Sequence, residues 1–300
     1  MRLHHILALA VLLAPLSPAT LAADAATGTA KKSSAKEKTG SSKARKAAGA
    51  AAGAAAAYSV ASVAVTSDAP AAEAQNQHCL EAQAAGPSAQ AEAACRQAIG
   101  EAEKSAPNSK HHATALSQQA ALLAQQGKLA EAEAGYKRAL AMYETALGPN
   151  HLAVATSASQ LAGFYYQNDR YAEAEPLYRR ALMVDERALG AEHLEVGKDL
   201  YNLANVQALM GRHEEAAGTY TRCLAIREKA LGGQDPSVAR SLAGLGMNYA
   251  MAGRLPEAEQ SFARASQISE KTQGADHPET RHYLSWLNKV QADRLAMIGQ

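Results

Sequence analysis

The chain has 300 residues, of which 47% are apolar and only 5% aromatic, so alanine supplies much of the apolar content. Small apolar side chains bury little area and favour closely spaced helices over a thick globular core. The formal net charge of +1, from 30 basic and 29 acidic residues, argues against a dedicated nucleic-acid binder, and three cysteines are too few for a disulfide-framework fold.

The first 22 residues have the three parts of a secretory signal peptide. Arg2 supplies the positive start, residues 6–13 are apolar, and Pro15 ends the helix-forming stretch. Small residues follow, which predicts cleavage after Ala22 or Ala23 and therefore an exported protein, periplasmic or secreted. The alternative is a buried core helix. No apolar run reaches the roughly 20 residues that span a bilayer, so we expect no transmembrane segment.

Residues 23–70 are predicted to be a disordered linker. Residues 23–60 carry a net charge of +5, and residues 47–57 contain only Ala and Gly. A segment without apolar anchors cannot offset its chain entropy by packing. Two interpretations are open for this basic arm: a solvated tether, or weak electrostatic contact with anionic envelope polymers or lipid head groups.

The rest of the chain repeats with a period of 42 residues, which is typical of a stacked array. Leu147-Gly148, Leu189-Gly190, Leu231-Gly232 and Gln273-Gly274 share this spacing. So do two further series, one of alanines (Ala132, Ala174, Ala216, Ala258) and one of rings (Tyr136, Tyr178, Tyr220, Phe262). The predicted units are residues 106–147, 148–189, 190–231 and 232–273.

Each unit is predicted to hold two antiparallel helices, A and B. In residues 148–189, helix A runs over about 152–167, because apolar residues recur along one helical face. The turn Asn168-Asp169 tolerates left-handed backbone, and helix B covers 171–189 with Pro176 in its first turns. Small residues at one position of each helix allow close approach, and the ring that follows fills the gap toward the next unit.

These residues resemble the tetratricopeptide repeat in its long 42-residue form, as found in kinesin light chains. The strings YAEAEPLYRRAL and PEAEQSFARA and the Leu-Gly-x-x-His linker carry the resemblance, strongly over residues 106–274. It implies an all-α, right-handed superhelix. A degenerate first unit over residues 71–105 and a C-terminal capping helix over 274–300 complete the array, with Asn288 facing solvent where other units have Ala or Gly.

The sequence contains no phosphate-binding loop, nucleophile elbow or zinc-protease motif. We therefore expect that the protein is not an enzyme and that it binds no cofactor and no metal. His151, His193 and His277 recur every 42 residues, with Asp235 at the fourth place. Stacked units lie on the order of 10 Å apart, so these side chains cannot share one ion, and a role at the start of helix A is favoured. The acids of the EAE strings are expected to face solvent.

Cys79 and Cys95 fall at the small-residue and ring positions of the degenerate unit. A disulfide and a pair of small buried residues are equally compatible with this placement, and export would permit the disulfide. Cys223 takes an alanine position of helix B, so we expect a buried free thiol there.

The family binds extended peptides on its inner, helix-A face. By register, the predicted partner-binding residues are Gln160, Tyr166, Gln167, Lys198, Tyr201, Asn202, Asn205, Arg240, Met247 and Met251. Asn202, Asn205 and Arg240 resemble part of the carboxylate clamp of chaperone-binding members, although Gly244 stands where that clamp has a basic residue. The sequence thus predicts a non-catalytic scaffold that binds a peptide or partner protein in this groove. The alternative is a structural envelope component tethered through the basic arm.

Overall fold

The computed structural model describes residues 69–298, which form eleven α-helices in consecutive antiparallel pairs. The A helices are α1 (Pro70–Ala84), α3 (Lys110–Gln125), α5 (Leu152–Gln167), α7 (Leu194–Leu209), α9 (Pro236–Met251) and α11 (Pro278–Ile298). The B helices are α2 (Ala89–Ser105), α4 (Leu129–Leu147), α6 (Tyr171–Leu189), α8 (His213–Leu231) and α10 (Leu255–Gln273). The predicted signal peptide, and the predicted linker up to residue 68, lie outside the described residues.

The pairs stack into the right-handed superhelix that the repeat predicted. The bounds of α5 and α6 match the sequence prediction, and Asp169 between them adopts φ 59°. Each full-length B helix ends at a glycine with φ between 86° and 95°, namely Gly148, Gly190, Gly232 and Gly274. Only glycine adopts this left-handed backbone without strain, so the 42-residue Gly series fixes where each unit ends.

Close contact between paired helices depends on the small residues, as predicted. Ala120, Ala162 and Ala204 on the A helices are fully buried, as are Ala132 and Ala174 on the B helices. A Cβ added at Gly135 would lie 2.9 Å from the Cβ of Ala120, which shows how closely α3 and α4 approach. Larger side chains at these positions would separate the helices.

The ring series fills the space between successive pairs. Tyr136, Tyr178, Tyr220 and Phe262 are exposed by 8%, 5%, 2% and 1%. Tyr178, for example, belongs to one apolar cluster with residues of α5 and with Leu203 and Val206 of the next A helix, α7. Because each pair leaves this apolar face open, the neighbouring pair is needed to cover it.

Ion pairs connect the outer surfaces of successive B helices. Arg180 pairs with Glu144, Arg222 with Glu186 at 2.6 Å, and Arg264 with Glu228. Each arginine follows its glutamate by 36 residues, so the same pair recurs at three successive junctions. Exposed pairs contribute up to about 1 kcal/mol each.

The expectation that the EAE acids face solvent is wrong for the second acid of three strings. One of the three is Glu259, which is 23% exposed and pairs with Arg294 on α11 at 3.0 Å. The side chains of Glu133 and Glu175 are only 20% and 14% exposed. Glu133 accepts from Arg170 Nη1 at 2.5 Å and Glu175 pairs with Arg212 at 2.6 Å, in each case an arginine 37 residues later. Hydrogen bonds from Arg170 lower the pKa of Glu133 to about 2. These acids therefore join one unit to the next.

The degenerate first unit is closed by a disulfide between Cys79 on α1 and Cys95 on α2, with both cysteines fully buried. Of the two interpretations of this pair, the structure has the disulfide. Gln83 Nε2 lies 3.3 Å from Cys79 Sγ and 3.1 Å from Cys95 Sγ, and also donates to the Gln118 carbonyl of α3 at 2.9 Å. The bridge thus replaces the small-residue and ring contact of the later units.

Cys223 is a buried free thiol, as predicted, and burial raises its pKa. The opposite end of the array is covered by α11, whose Trp286 stacks on Phe262 with ring centroids 6.3 Å apart. Asn288 on this helix is exposed, as predicted for that side chain. No helix between residues 69 and 298 has both the length and the apolarity needed to cross a membrane.

Candidate functional site on the helix-A face

The ten predicted partner-binding residues lie on α5, α7 and α9, and we call the surface that they form the helix-A face. Gln160 and Gln167 are exposed and Met247 is buried, whereas the others are partly buried: Tyr166, Lys198, Tyr201, Asn202, Asn205, Arg240 and Met251. Because three successive A helices supply these residues, the face extends along the array rather than forming one closed pocket.

Two of the amide side chains also serve the fold. Ser117 Oγ on α3 donates to Gln160 Oε1 at 2.6 Å, and Tyr220 Oη on α8 donates to Asn205 Oδ1. These bonds use the carbonyl oxygens, so the amide N–H groups point away from them. An amide held at one end is a preorganised donor.

Asn202 makes no side-chain hydrogen bond to any part of the chain that the structure describes. It lies one position after Tyr201, whose ring contacts Tyr220 edge-on at 5.9 Å and is covered by the Arg227 guanidinium at 5.0 Å. These ring contacts fix the backbone turn that carries Asn202. Its amide has both a donor and an acceptor available, which is the combination needed to bind an extended peptide backbone.

The charges on this face are partly neutralised within the array. Lys198 pairs with Glu195 at 3.2 Å on the same helix, and Arg240 lies 3.7 Å from Glu279 on α11. Arg240 is 30% exposed, so its guanidinium is accessible to solvent as well as to its acidic partner. Exposed pairs of this kind exchange partners at small cost, so a ligand carboxylate can compete for them.

Two tyrosines of the face pack against other aromatic rings. Burial raises the pKa of Tyr166 and of Tyr201, so both remain neutral phenols. Tyr166 packs against Tyr171 with ring centroids 5.8 Å apart. Neutral aromatic rings next to amides give a surface for both apolar and polar parts of a ligand.

Met247 does not present its side chain as the register predicted. It is 6% exposed and packs in a cluster with Ala258, Phe262, Trp286 and Val290, so it contributes to the core under the cap. Trp286 of α11 packs in the same cluster, so the last helix of the array covers this part of α9. Met251, one turn later, is partly exposed at the edge of the same cluster.

Gly244 shows why the carboxylate clamp is incomplete. A Cβ at this position would lie 2.7 Å from Tyr220 Cε1 and 3.1 Å from Cζ. The ring of Tyr220 thus occupies the space that a basic side chain would need. The departure from the clamp is a consequence of packing, because the Tyr220 ring, which bonds Asn205 on α7, lies directly against α9 at Gly244.

The histidine series begins A helices, as predicted. His151 Nδ1 accepts from the Ala153 N–H at 3.1 Å, His193 Nδ1 does the same for Glu195 at 3.2 Å, and Asp235 Oδ1 accepts from Ser237 at 2.7 Å. Each side chain satisfies an N–H that the first helical turn leaves unpaired. Residues 69–298 contain no group of three His, Cys, Asp or Glu placed to hold a metal ion.

A cavity of about 610 Å³, which the repeat pattern did not predict, lies between α1 and α3, at the first end of the same face. Glu73, Asn76, Lys110, His111 and Gln118 are among its lining residues. Asn76 Nδ2 donates to the His111 carbonyl at 2.9 Å, which ties the two A helices together. The register of the degenerate first unit was uncertain from the sequence. The only signal for this cavity was that Gln118 holds the same repeat position as Gln160, one unit earlier.

The family model for the tetratricopeptide repeat matches residues 111–182, 153–229 and 200–271, which together exceed half of the chain. The chain belongs to the tetratricopeptide repeat family. Repeats of this family typically form scaffolds for protein interaction and are generally not enzymes. No curated protein sequence matches the chain.

Solved structures agree with this assignment. The chain is 27% identical to BtubC (BKLC) from P. vanneervenii, with a TM-score of 0.59 over 65% of this chain and 78% of that one. A putative kinesin light chain of Podosopora anserina with nearly identical TPR-like repeats is 22% identical, with a TM-score of 0.59 over 67% and 96%. The apo form of RapI shares the fold at 16% identity, with a TM-score of 0.62 over 74% and 60%. The likeness to kinesin-light-chain-type repeats is thus borne out.

Proposed function

We propose that this protein is a non-catalytic, exported scaffold that binds an extended peptide segment of a partner protein along the helix-A face. The observation that supports this most directly is Asn202. Asn202 is partly exposed, its amide is unused by the fold within residues 69–298, and it follows Tyr201, whose ring packs on Tyr220. Arg240 on the next A helix supplies a cation for an acidic group of the ligand.

The experiment compares two double variants in affinity capture from a periplasmic or envelope fraction. Asn202→Ala with Arg240→Ala removes the amide and the cation from the helix-A face. The matched control, Arg187→Ala with Gln267→Ala, removes an exposed arginine and an exposed amide from the B helices α6 and α10. We expect capture of the partner to fall at least tenfold for the first variant only, with both proteins equally helical by circular dichroism.

Equal capture by the two variants would contradict the proposal. Capture from the cytoplasmic fraction alone would contradict the export. The Cys79–Cys95 disulfide supports an oxidising compartment, since such bonds form and persist outside the cytosol. Crosslinking before lysis identifies the captured segment.

A further inference from the structure

One junction of the array buries two carboxyl groups against each other. Asp185 on α6 and Asp199 on α7 are 8% and 4% exposed, and their carboxyl groups lie within hydrogen-bonding reach. Ser159 Oγ on α5 donates to Asp199 Oδ1 at 3.3 Å, whereas Asp199 Oδ2 has no other partner in the described chain. Two buried carboxylates cannot both be charged at this distance without a strong penalty.

The positions of Asp185 and Asp199 hold other residues at the two junctions that follow. At the junction of α8 and α9, Arg227 replaces Asp185, and its Nη1 donates to Ser241 Oγ at 2.9 Å. At the junction of α10 and α11, Ser269 takes the place of Asp185 and Tyr283 that of Asp199. Ser269 bonds Thr280, three residues before Tyr283, at 2.7 Å. At each of these two junctions a hydrogen-bond donor faces an acceptor. Two facing carboxyl groups therefore occur at the α6–α7 junction and not at the two that follow it.

The charged groups around the pair do not neutralise it. Lys198 next to Asp199 forms an ion pair with Glu195 at 3.2 Å on the exposed side of α7. His193, at the start of the same helix, uses Nδ1 for its capping bond. The Arg227 guanidinium on α8 turns toward α9, and α5 contributes only the neutral Ser159 hydroxyl.

We propose that Asp185 and Asp199 share one proton, which holds the junction of α6 and α7 closed, and that loss of this proton at alkaline pH opens the array at that point. Burial, and then the neighbouring Asp185, raise the pKa of Asp199 to about 8, and burial also raises that of Asp185. Lys198 and Asn202 lie on the same helix as Asp199, so opening would move one part of the helix-A face relative to another.

The sign of the pH dependence follows from the direction of these shifts. An unfolded aspartate releases its proton near pH 4, whereas the folded pair retains one proton to about pH 8. Between these values the folded chain binds the extra proton, so its stability falls as the pH rises. One proton changes the folding equilibrium constant about tenfold per pH unit.

The first measurement is urea unfolding of the full chain at pH 6 and pH 8. The folding constant should fall about 50-fold for the natural protein and little for Asp199→Asn, whose amide donates to Asp185 without a shared proton. Asp276→Asn removes an exposed carboxyl and should behave like the natural protein. If Asp199→Asn does not fold, the double variant Asp185→Arg with Asp199→Ser is measured instead. It introduces the arginine and serine that stand at these positions in the α8–α9 junction.

The second measurement is the distance between spin labels at Thr145→Cys and Thr272→Cys, two exposed positions on either side of the junction. We expect this distance to lengthen between pH 7 and pH 9 in the natural background and to stay constant with Asp199→Asn. Infrared spectra should lose the band of a protonated carboxyl group over the same range in the first protein only. Parallel pH profiles, or a constant distance in both proteins, would overturn the proposal.

Discussion

Replacing Tyr178 by alanine tests whether the rings between units hold the array together. Tyr178 is central in the array, is 5% exposed, and contacts residues of its own unit and of α7 in the next. Its Oη lies 3.5 Å from where a Cβ at Gly163 would be, so the ring packs against α5 at that glycine.

The magnitude follows from the area that the ring removes from water. A buried tyrosine covers about 200 Å², which corresponds to about 5 kcal/mol at 25 cal/mol per Å². Partial collapse of the surrounding helices around the missing ring would recover some of this, so we expect a loss of about 3 to 5 kcal/mol in the free energy of unfolding. Because contacts in a repeat array are mainly between neighbours, this loss falls on one interface.

The assay is urea unfolding followed by circular dichroism, with Met183→Ala as the control on the same helix. Met183 is 42% exposed, so its removal should change the free energy of unfolding by less than about 0.5 kcal/mol. If Tyr178→Ala shifted the midpoint no more than Met183→Ala, the ring could not be the contact that joins the units.

Two further predictions concern the disulfide of the first unit and an ion pair between two successive units. Replacing Cys79 and Cys95 by serine opens a loop of about 15 residues, so the free energy of unfolding should fall by about 3 kcal/mol. The natural protein, unfolded without reductant, should show one titratable thiol, that of Cys223. Three titratable thiols would contradict the disulfide. Because hydrogen bonds from Arg170 lower the pKa of Glu133 to about 2, its stabilising effect is present above pH 4.5 and is lost as the pH falls toward 2. Glu133→Gln should therefore unfold with a weaker dependence on acid pH in urea titrations, and an unchanged dependence would show that the carboxylate contributes nothing.

The architecture could be predicted because its determinants are local and periodic. The glycines at 148, 190, 232 and 274 require left-handed backbone, and the alanine and ring series follow the helical face, so the bounds of α5 and α6 came out as expected. The role of His151 as a helix start also followed from its place before a periodic segment.

The contacts between units could not be predicted in the same way. Glu133 and Asp185 look like solvated charges on helix B, because their partners lie in the following unit and its rotation is not encoded in the periodicity of a single helix. Met247 was misplaced for the same reason, since the ring that covers it belongs to α11. Gly244 departs from the clamp pattern because of Tyr220, a residue 24 positions earlier.

The ion pairs of the outer surface have a consequence for how such a chain can grow. Each of the three units between residues 148 and 273 has an arginine that forms an ion pair with a glutamate of the unit before it. The first two of these units also have a glutamate that pairs with the arginine of the unit after. A duplicated 42-residue segment inserted among these units would therefore find its charge partners on both sides, and the array could change length in evolution without redesign of its seams.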